Sequence, residues 1–305
     1  MLNLDKFRQL NHITCVGLGE VLFDVYPQGP KLGGAPANFA FHCGQLGLKS
    51  MVISAVGQDD LGERARQELA SKFLPALLPT VPYPTGAVNV TLSSDGVPAY
   101  IFLEDTAYDH IPFTPLLAEL APKINIACFG TLAQRGSETH ETVLKFLDAM
   151  SPAARLRVFD INLRRHYYTS EIVDDCLNRC EVVKCNEDEL PVLCEMAGLP
   201  AGSGARDYYH HLQNKGISCL IFTEGAKQST VFLNDEFSCV PTPQIDAIDT
   251  VGAGDSFTAS LISLLVKGWP LAKAHRMAAD LAAFVCTQRG AMPEFTPNLW
   301  GRLVD

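Results

Sequence analysis

Residues 249–262 read DTVGAGDSFTASLI, two acidic residues around a run of very small ones at the point where the chain turns apolar and helical. Over 256–267 the segment is apolar on most sides, which describes a helix buried inside a fold and not one lying on its surface. Its amino-terminal end has the makings of an anion site. The first N–H groups of a helix lack partners and the helix dipole adds roughly half a positive charge there. Gly252, Ala253 and Gly254 leave the backbone bare enough for a ligand to come close. Asp255 falls in the first turn, where a carboxylate can take a proton from a hydroxyl beside the bound anion or simply cap the helix.

Outward from this stretch the chain alternates. Runs of β-branched and aromatic residues at 13–17, 51–56, 124–129, 156–161, 181–184 and 219–223 are mostly separated by helix-length segments, the pattern of a largely parallel sheet covered by helices. Helices are expected over 36–46, ended by Gly47, over 137–150, and over 270–289. One stretch breaks the pattern: residues 86–102, GAVNVTLSSDGVPAYIF, alternate on either side of Ser94-Asp95-Gly96, a hairpin signal. With edge strands from 21–32, it predicts a small β projection built from two separated pieces of chain, about 21–33 and 85–106. No repeat, linker or low-complexity tract divides the sequence, so a single domain over 1–305 is expected.

With 305 residues, 47% hydrophobic and 19% charged, and a net charge of −10, the composition is that of an ordinary globular protein and excludes a nucleic acid as partner. The first 17 residues lack a signal pattern and no apolar run approaches the ~18–20 residues that cross a bilayer, so a cytoplasmic protein without membrane contact is expected. Its ten cysteines include no C-x-x-C pair. Cys128, Cys219 and Cys239 sit in β-like runs where a thiol packs as a small hydrophobe. Cys176, Cys180, Cys185 and Cys194 are spaced by four, five and nine, which fits no common zinc site.

A second glycine cluster, LGGAPANFAFHCGQLG at 32–47, again leads into a helix. Gly33 and Gly34 allow close approach, Asn38 offers an amide able to bind hydroxyls, and Asp24 in GLGEVLFD is a matching hydroxyl acceptor. A tight turn opening a helix is the plain alternative. Two familiar nucleotide fingerprints are missing: Gly17-Leu18-Gly19 is not followed by glycine at 22, and no G-x-x-x-x-G-K-[ST] occurs.

GGAPANFAFHCGQLG and DTVGAGDSFTASLI resemble the two signatures of the PfkB, or ribokinase-like, carbohydrate kinase family, in the order and separation that family shows. VGQDDLG at 56–62, FDINLR at 159–164, NEDE at 186–189, FTEGA at 222–226 and TQRGAM at 287–292 also resemble family segments, so the resemblance spans nearly the whole chain. It implies an α/β fold, a three-layer sandwich with a mostly parallel central sheet and a small β lid. The implied reaction moves the γ-phosphoryl of ATP to a primary hydroxyl of a sugar or nucleoside.

Carried over residue by residue, the resemblance makes Asp255 the base and Gly252, Ala253 and Gly254 the hole for the migrating phosphoryl. It makes Asp24, Gly33, Gly34, Asn38 and Arg164 sugar-binding positions, and Asn186, Glu189, Thr223 and Gly225 nucleotide-binding ones. Glu189 would act on Mg²⁺ through water, and Asp249 would help hold a monovalent cation, K⁺ in many members. The lid would cover the sugar and could pair with a second copy of the chain. Two positions depart from the pattern: Ala279 stands where many relatives have a polar residue near adenine, and YIFLEDTAYDH at 100–110 is more acidic than in many fructokinases. GGAPAN favours the fructokinase-like branch, making fructose 6-phosphate from fructose. A 2-keto-3-deoxygluconate, ribose or nucleoside kinase is the alternative within the family, and a catalytically silent sugar or nucleotide sensor the alternative outside it.

Overall fold

The computed structural model describes residues 1–92, 98–297, 299 and 301. Among these residues the strands are β1 (Thr14–Leu18), β2 (Leu22–Tyr26), β3 (Gly29–Gly33), β4 (Lys49–Ile53), β5 (Ala76–Leu77), β6 (Gly86–Leu92), β7 (Pro98–Phe102), β8 (Ile126–Phe129), β9 (Leu156–Asp160), β10 (Val182–Asn186), β11 (Cys219–Glu224), β12 (Gln228–Leu233) and β13 (Glu236–Pro241). Nine of them form one sheet in the order β13-β12-β11-β10-β9-β8-β1-β4-β5. The pairings from β11 through to β5 are parallel, and β12 and β13 add an antiparallel hairpin at one edge.

Successive side chains of a strand point to opposite faces, and here each face has its own core. Val16, Leu18, Ala127, Phe129, Val183 and Cys185 pack on one side with the helices Ser137–Ala149, Ser170–Leu177, Glu189–Met196 and Ala205–Asn214. Cys15, Ile126, Cys128, Val158, Val182 and Ile221 pack on the other with the helices Ala35–Gln45, Ala253–Val266 and Leu271–Cys286. Strands apolar on both faces are what a sheet covered on both sides requires, and the result is the expected three-layer α/β sandwich. From β1 the chain moves outward to β4 and β5, then crosses back to β8 on the opposite flank of β1. Such a reversal opens a crevice at the carboxyl ends of the strands.

The six strands and four helices expected from the sequence are present, with ends shifted by no more than three residues. The last expected helix stops at Cys286 because the carbonyl of Cys286 accepts the N–H groups of Ile248 and Asp249, 2.8 and 3.2 Å away. The β12–β13 hairpin was not foreseen: its connection is Asn234-Asp235 with Asn234 left-handed at φ 54°, and its strands are too polar to read as buried. One expectation is corrected. Cys239 is exposed, since β13 is an edge strand whose side chains are largely solvated, whereas eight other cysteines are buried. Cys176, Cys180, Cys185 and Cys194 all lie in one apolar core.

The expected β projection is a four-stranded sheet in the order β3-β2-β6-β7. Pairs β2–β3 and β6–β7 are antiparallel, while β2 and β6, from the two separated pieces, pair in parallel with Leu22 opposite Gly86. The expected turn at Ser94-Asp95-Gly96 lies outside the described residues. No helix among the described residues is long and apolar enough to cross a membrane.

Candidate active site

The carboxyl ends of β9, β10 and β11, the turn after β1, and the amino ends of the helices Ala35–Gln45 and Ala253–Val266 open onto one cavity of about 830 Å³. The smaller sheet closes one side with Leu22, Asp24, Val88 and Phe102. Two glycines make the approach of the helices possible. Gly34 has φ 116°, and a Cβ on it would collide with the carbonyl oxygen of Glu20. Gly252 is left-handed at φ 79°, and its Cβ would lie 2.6 Å from that of Ala291. Both are conformations or clearances that only glycine tolerates well.

Asp255 is in the first turn of the helix Ala253–Val266 and lines the cavity. Asn38, in the first turn of Ala35–Gln45, donates its Nδ2–H to Asp255 Oδ2 over 2.7 Å. Burial pushes the Asp255 carboxyl up to about 6 and the charge of Asp160 adds to this, while the Asn38 hydrogen bond, Lys184 and Arg164 pull it back. Lys184 on β10 donates to Asp160 Oδ1 on β9 over 3.0 Å, the two residues standing opposite each other in register. Burial works against the Lys184 charge, but Asp160, Glu189 and Asp255 outweigh it and the ammonium is held firmly protonated. Its Nζ lies 3.2 Å from the point where a Cβ on Gly254 would sit, against the bare helix start.

Glu20, in the turn after β1, is buried, and burial together with the nearby Asp255 carboxylate drives its carboxyl up to about 7, although the Ala35 N–H and the positive charge of Arg164 favour the ionised form. Its Oε2 and the Oδ1 of Asn38 are buried without a protein hydrogen-bond partner. Asp24 is shifted upward by burial and by Asp249, against the opposing charges of Arg164 and Lys31. Arg164 is exposed and lines the cavity with Arg165, in a loop where Asn162 and Arg165 take left-handed φ values of 49° and 50°.

Asn186 at the end of β10 and Thr223 near the end of β11 are register partners, and Gly225 follows β11 at φ 50°. All three line the cavity, whose wall beyond them is the small-residue face Ala279, Ala282, Ala283 and Cys286. The sequence-predicted residues Gly33, Glu189 and Asp249 stand just behind the lining. Glu189 is buried and accepts Leu163 N–H on Oε1 at 3.0 Å and Asn186 N–H on Oε2 at 2.9 Å, while Asn186 Oδ1 accepts the N–H groups of Asp188 and Glu189. Asp249 Oδ1 accepts Val251 N–H at 3.2 Å and Oδ2 accepts Gly290 N–H at 3.1 Å, with Lys31 Nζ 3.6 Å away. No cluster of three metal-binding side chains occurs among the described residues.

Three members of this constellation escaped the sequence reading: Glu20, Asp160 and Lys184. Each was signalled by a charge embedded in an apolar run, GLGEVLF, RVFD and VVKC, since such side chains are rarely buried unless paired or employed.

The profile of the pfkB family carbohydrate kinases matches residues 28–298. An uncharacterized sugar kinase of Pyrococcus horikoshii is 29% identical over 280 residues, 88% of this chain and 84% of that one, and its crystal structure superposes with a TM-score of 0.75. A fructokinase of Rhizobium leguminosarum bv. trifolii is 26% identical over 264 residues, covering 81% of this chain and 78% of that protein. The ATP-bound fructokinase of Xylella fastidiosa, 19% identical, shares the ribokinase-like fold with a TM-score of 0.81 over 95% of this chain and 97% of that one. Since the family profile spans most of its length, the chain belongs to the pfkB family of carbohydrate kinases, phosphotransferases that use an alcohol group as acceptor.

Proposed function

We propose that the chain transfers the γ-phosphoryl group of ATP to the primary hydroxyl of a neutral sugar, fructose first, giving fructose 6-phosphate. The observation that carries this reading is the position of Asp255. It is half-buried in the first turn of a helix, hydrogen-bonded to Asn38 on the side of the smaller sheet, and set beside a bare backbone and a paired lysine on the other. In this reading Asp255 takes the proton of the attacking hydroxyl, and the N–H groups of 252–254 stabilise the phosphoryl in transit, since phosphoryl transfer is mainly positioning and charge stabilisation. Asp24, Gly33, Gly34, Asn38 and Arg164 hold the sugar. Asn186, Thr223 and Gly225 flank the phosphates, and the alanine face of Leu271–Cys286 receives the base.

ATP arrives with Mg²⁺. Glu189 has spent one lone pair of each oxygen on a backbone N–H and sits behind the lining, which fits a hydrated ion reached through water and not direct ligation. Asp249 ties the turn at 249–251 to Gly290 and is partly balanced by Lys31; a K⁺ site there uses the carboxylate to draw that turn together. The smaller sheet acts as a lid that excludes water from the transferring phosphoryl and its outer face is available for a homodimer, which light scattering would test. Relatives support these readings: fructokinase of Vibrio cholerae has been seen with fructose, ADP and potassium, and a ribokinase-like protein of E. coli with ATP and Mg²⁺.

A sugar acid such as 2-keto-3-deoxygluconate is the second reading, favoured by Arg164 and Arg165 both lining the cavity. The three carboxyls Glu20, Asp24 and Asp255 favour the neutral sugar. A coupled ADP-release assay over fructose, tagatose, ribose, 2-keto-3-deoxygluconate and nucleosides decides: fructose is expected to give the highest kcat/KM. A preference for the sugar acid would overturn the neutral-sugar assignment, and no release with any of them would overturn the kinase reading in favour of a silent sensor.

A further inference from the structure

Among the groups the proposed reaction does not employ, one stands inside the cavity itself. Glu20 lines it, is 1% exposed, and forms no ion pair with an arginine or lysine among the described residues. A structural carboxyl buried this deeply ordinarily satisfies both oxygens within the protein. In Glu20 the Ala35 N–H, at the start of the helix Ala35–Gln45, favours the charged carboxylate, yet Oε2 has no protein partner. The same is true of Asn38 Oδ1, whose orientation is set because the Nδ2 end of that amide is committed to Asp255. Two buried acceptors in one lining, with the apolar Leu22, Val88, Phe102 and Leu132 around them, need two donors brought by the occupant.

We propose that Glu20 is a specificity-determining sugar contact: its free Oε2 accepts a hydrogen bond from one hydroxyl of the bound sugar while Asn38 Oδ1 accepts from another, so that the enzyme selects acceptors carrying both. The inference rests on the reading of the cavity as a sugar site. Hydroxyls are the right donors because they are neutral and can face a carboxyl in either protonation state. An alkyl or deoxy position there strands a buried oxygen, which costs more than the bond itself was worth. A carboxylate placed there instead meets the acidic groups Glu20 and Asp255 together. The selectivity is of the strong kind, since a site built to bond a hydroxyl rejects the analogue lacking it far better than an apolar pocket rejects an extra methylene.

The test is steady-state kinetics of wild type, Glu20→Gln and Glu20→Ala with fructose and with its singly deoxygenated analogues, alongside the KM for ATP and a thermal melt of each protein. Glu20→Ala should raise the KM for the sugar about tenfold or more with the KM for ATP within twofold, Glu20→Gln, which keeps an acceptor oxygen, should recover much of that loss, and one deoxy sugar should be used equally well by wild type and Glu20→Ala. An unchanged sugar KM in Glu20→Ala, or an equal penalty on every deoxy analogue, overturns the proposal. If Glu20→Ala does not fold, Glu20→Gln decides alone: a retained penalty for the deoxy analogue supports the contact and loss of all sugar binding with a native melt overturns it. Should the wild type use another sugar of the panel and not fructose, the fructose assignment fails and the same comparison runs on that sugar and its deoxy forms; should it use none, the sugar-site reading fails and the Glu20 contact falls with it.

Discussion

Asn38 and Asp255 meet across 2.7 Å at the start of two helices that lie 217 residues apart in the chain. That one hydrogen bond joins the two glycine-led helix starts into a single site, and it favours the ionised form of a carboxyl that burial drives toward the neutral one.

Replacing Asp255 by Asn keeps the shape and the acceptor for Asn38 but removes the proposed base. Turnover should fall by about three orders of magnitude or more, while the affinity for ATP, measured by calorimetry, stays within a few-fold of wild type. Near-normal phosphorylation by Asp255→Asn would remove this carboxyl from the mechanism.

Activity should depend on pH through the same group. With its carboxyl raised to about 6, kcat/KM should fall about tenfold per unit below that pH. Substituting Asn38 by Leu removes a bond that lowers the value, so the acidic limb should move upward. A limb that stays put in Asn38→Leu would mean that another group is being titrated.

Stability should run the opposite way to activity. A carboxyl whose folded value lies above its unfolded one holds its proton more tightly in the native state, so its contribution is fully present below the unfolded value near 4 and is lost as pH rises through about 6. Asp255→Asn carries no charge to bury. It should be more stable than wild type at pH 8 by on the order of 2 kcal/mol, and the two should converge near pH 4 in chemical denaturation. Equal stabilities at pH 8 would show that the carboxylate finds solvation in the folded protein that the cavity geometry does not reveal.

Lys184 and Asp160 form a buried pair at 3.0 Å. Removing one partner leaves an uncompensated buried charge, so Lys184→Met should destabilise the fold by roughly 3–5 kcal/mol and Asp160→Asn by less, with the double variant recovering part of the loss. Urea unfolding of the four proteins gives the coupling directly; additive losses would mean that the two charges do not depend on each other.

Much of this site was legible in the sequence, and for identifiable reasons. Gly34 and Gly252 announce themselves because positive φ and tight clearance admit little else, and helix starts that follow them place Asn38 and Asp255 without further information. The strands β1, β8, β9 and β11 read clearly because both of their faces are apolar. What did not read out was anything set by neighbours: the polar β12–β13 hairpin gains its place from pairing with β11, and Glu20, Lys184 and Asp160 acquire their roles only when β1, β9 and β10 bring them to one end of the sheet. The exposure of Cys239 is a matter of strand order, which a local pattern does not contain.

The parallel pairing of β2 with β6 bears on how the molecule folds. Between Leu22 and its partner Gly86 the chain runs through β3, the helix Ala35–Gln45, β4, the helix Asp60–Ser71 and β5, and parallel strands always require such a crossover. The smaller sheet therefore cannot fold first as a free hairpin unit. Pairing β2 with β6 closes a long loop at an entropic cost that slows its formation, so the expected outcome of refolding is a sandwich recovered before the cover over its cavity, which pulsed hydrogen exchange on the two sheets would check.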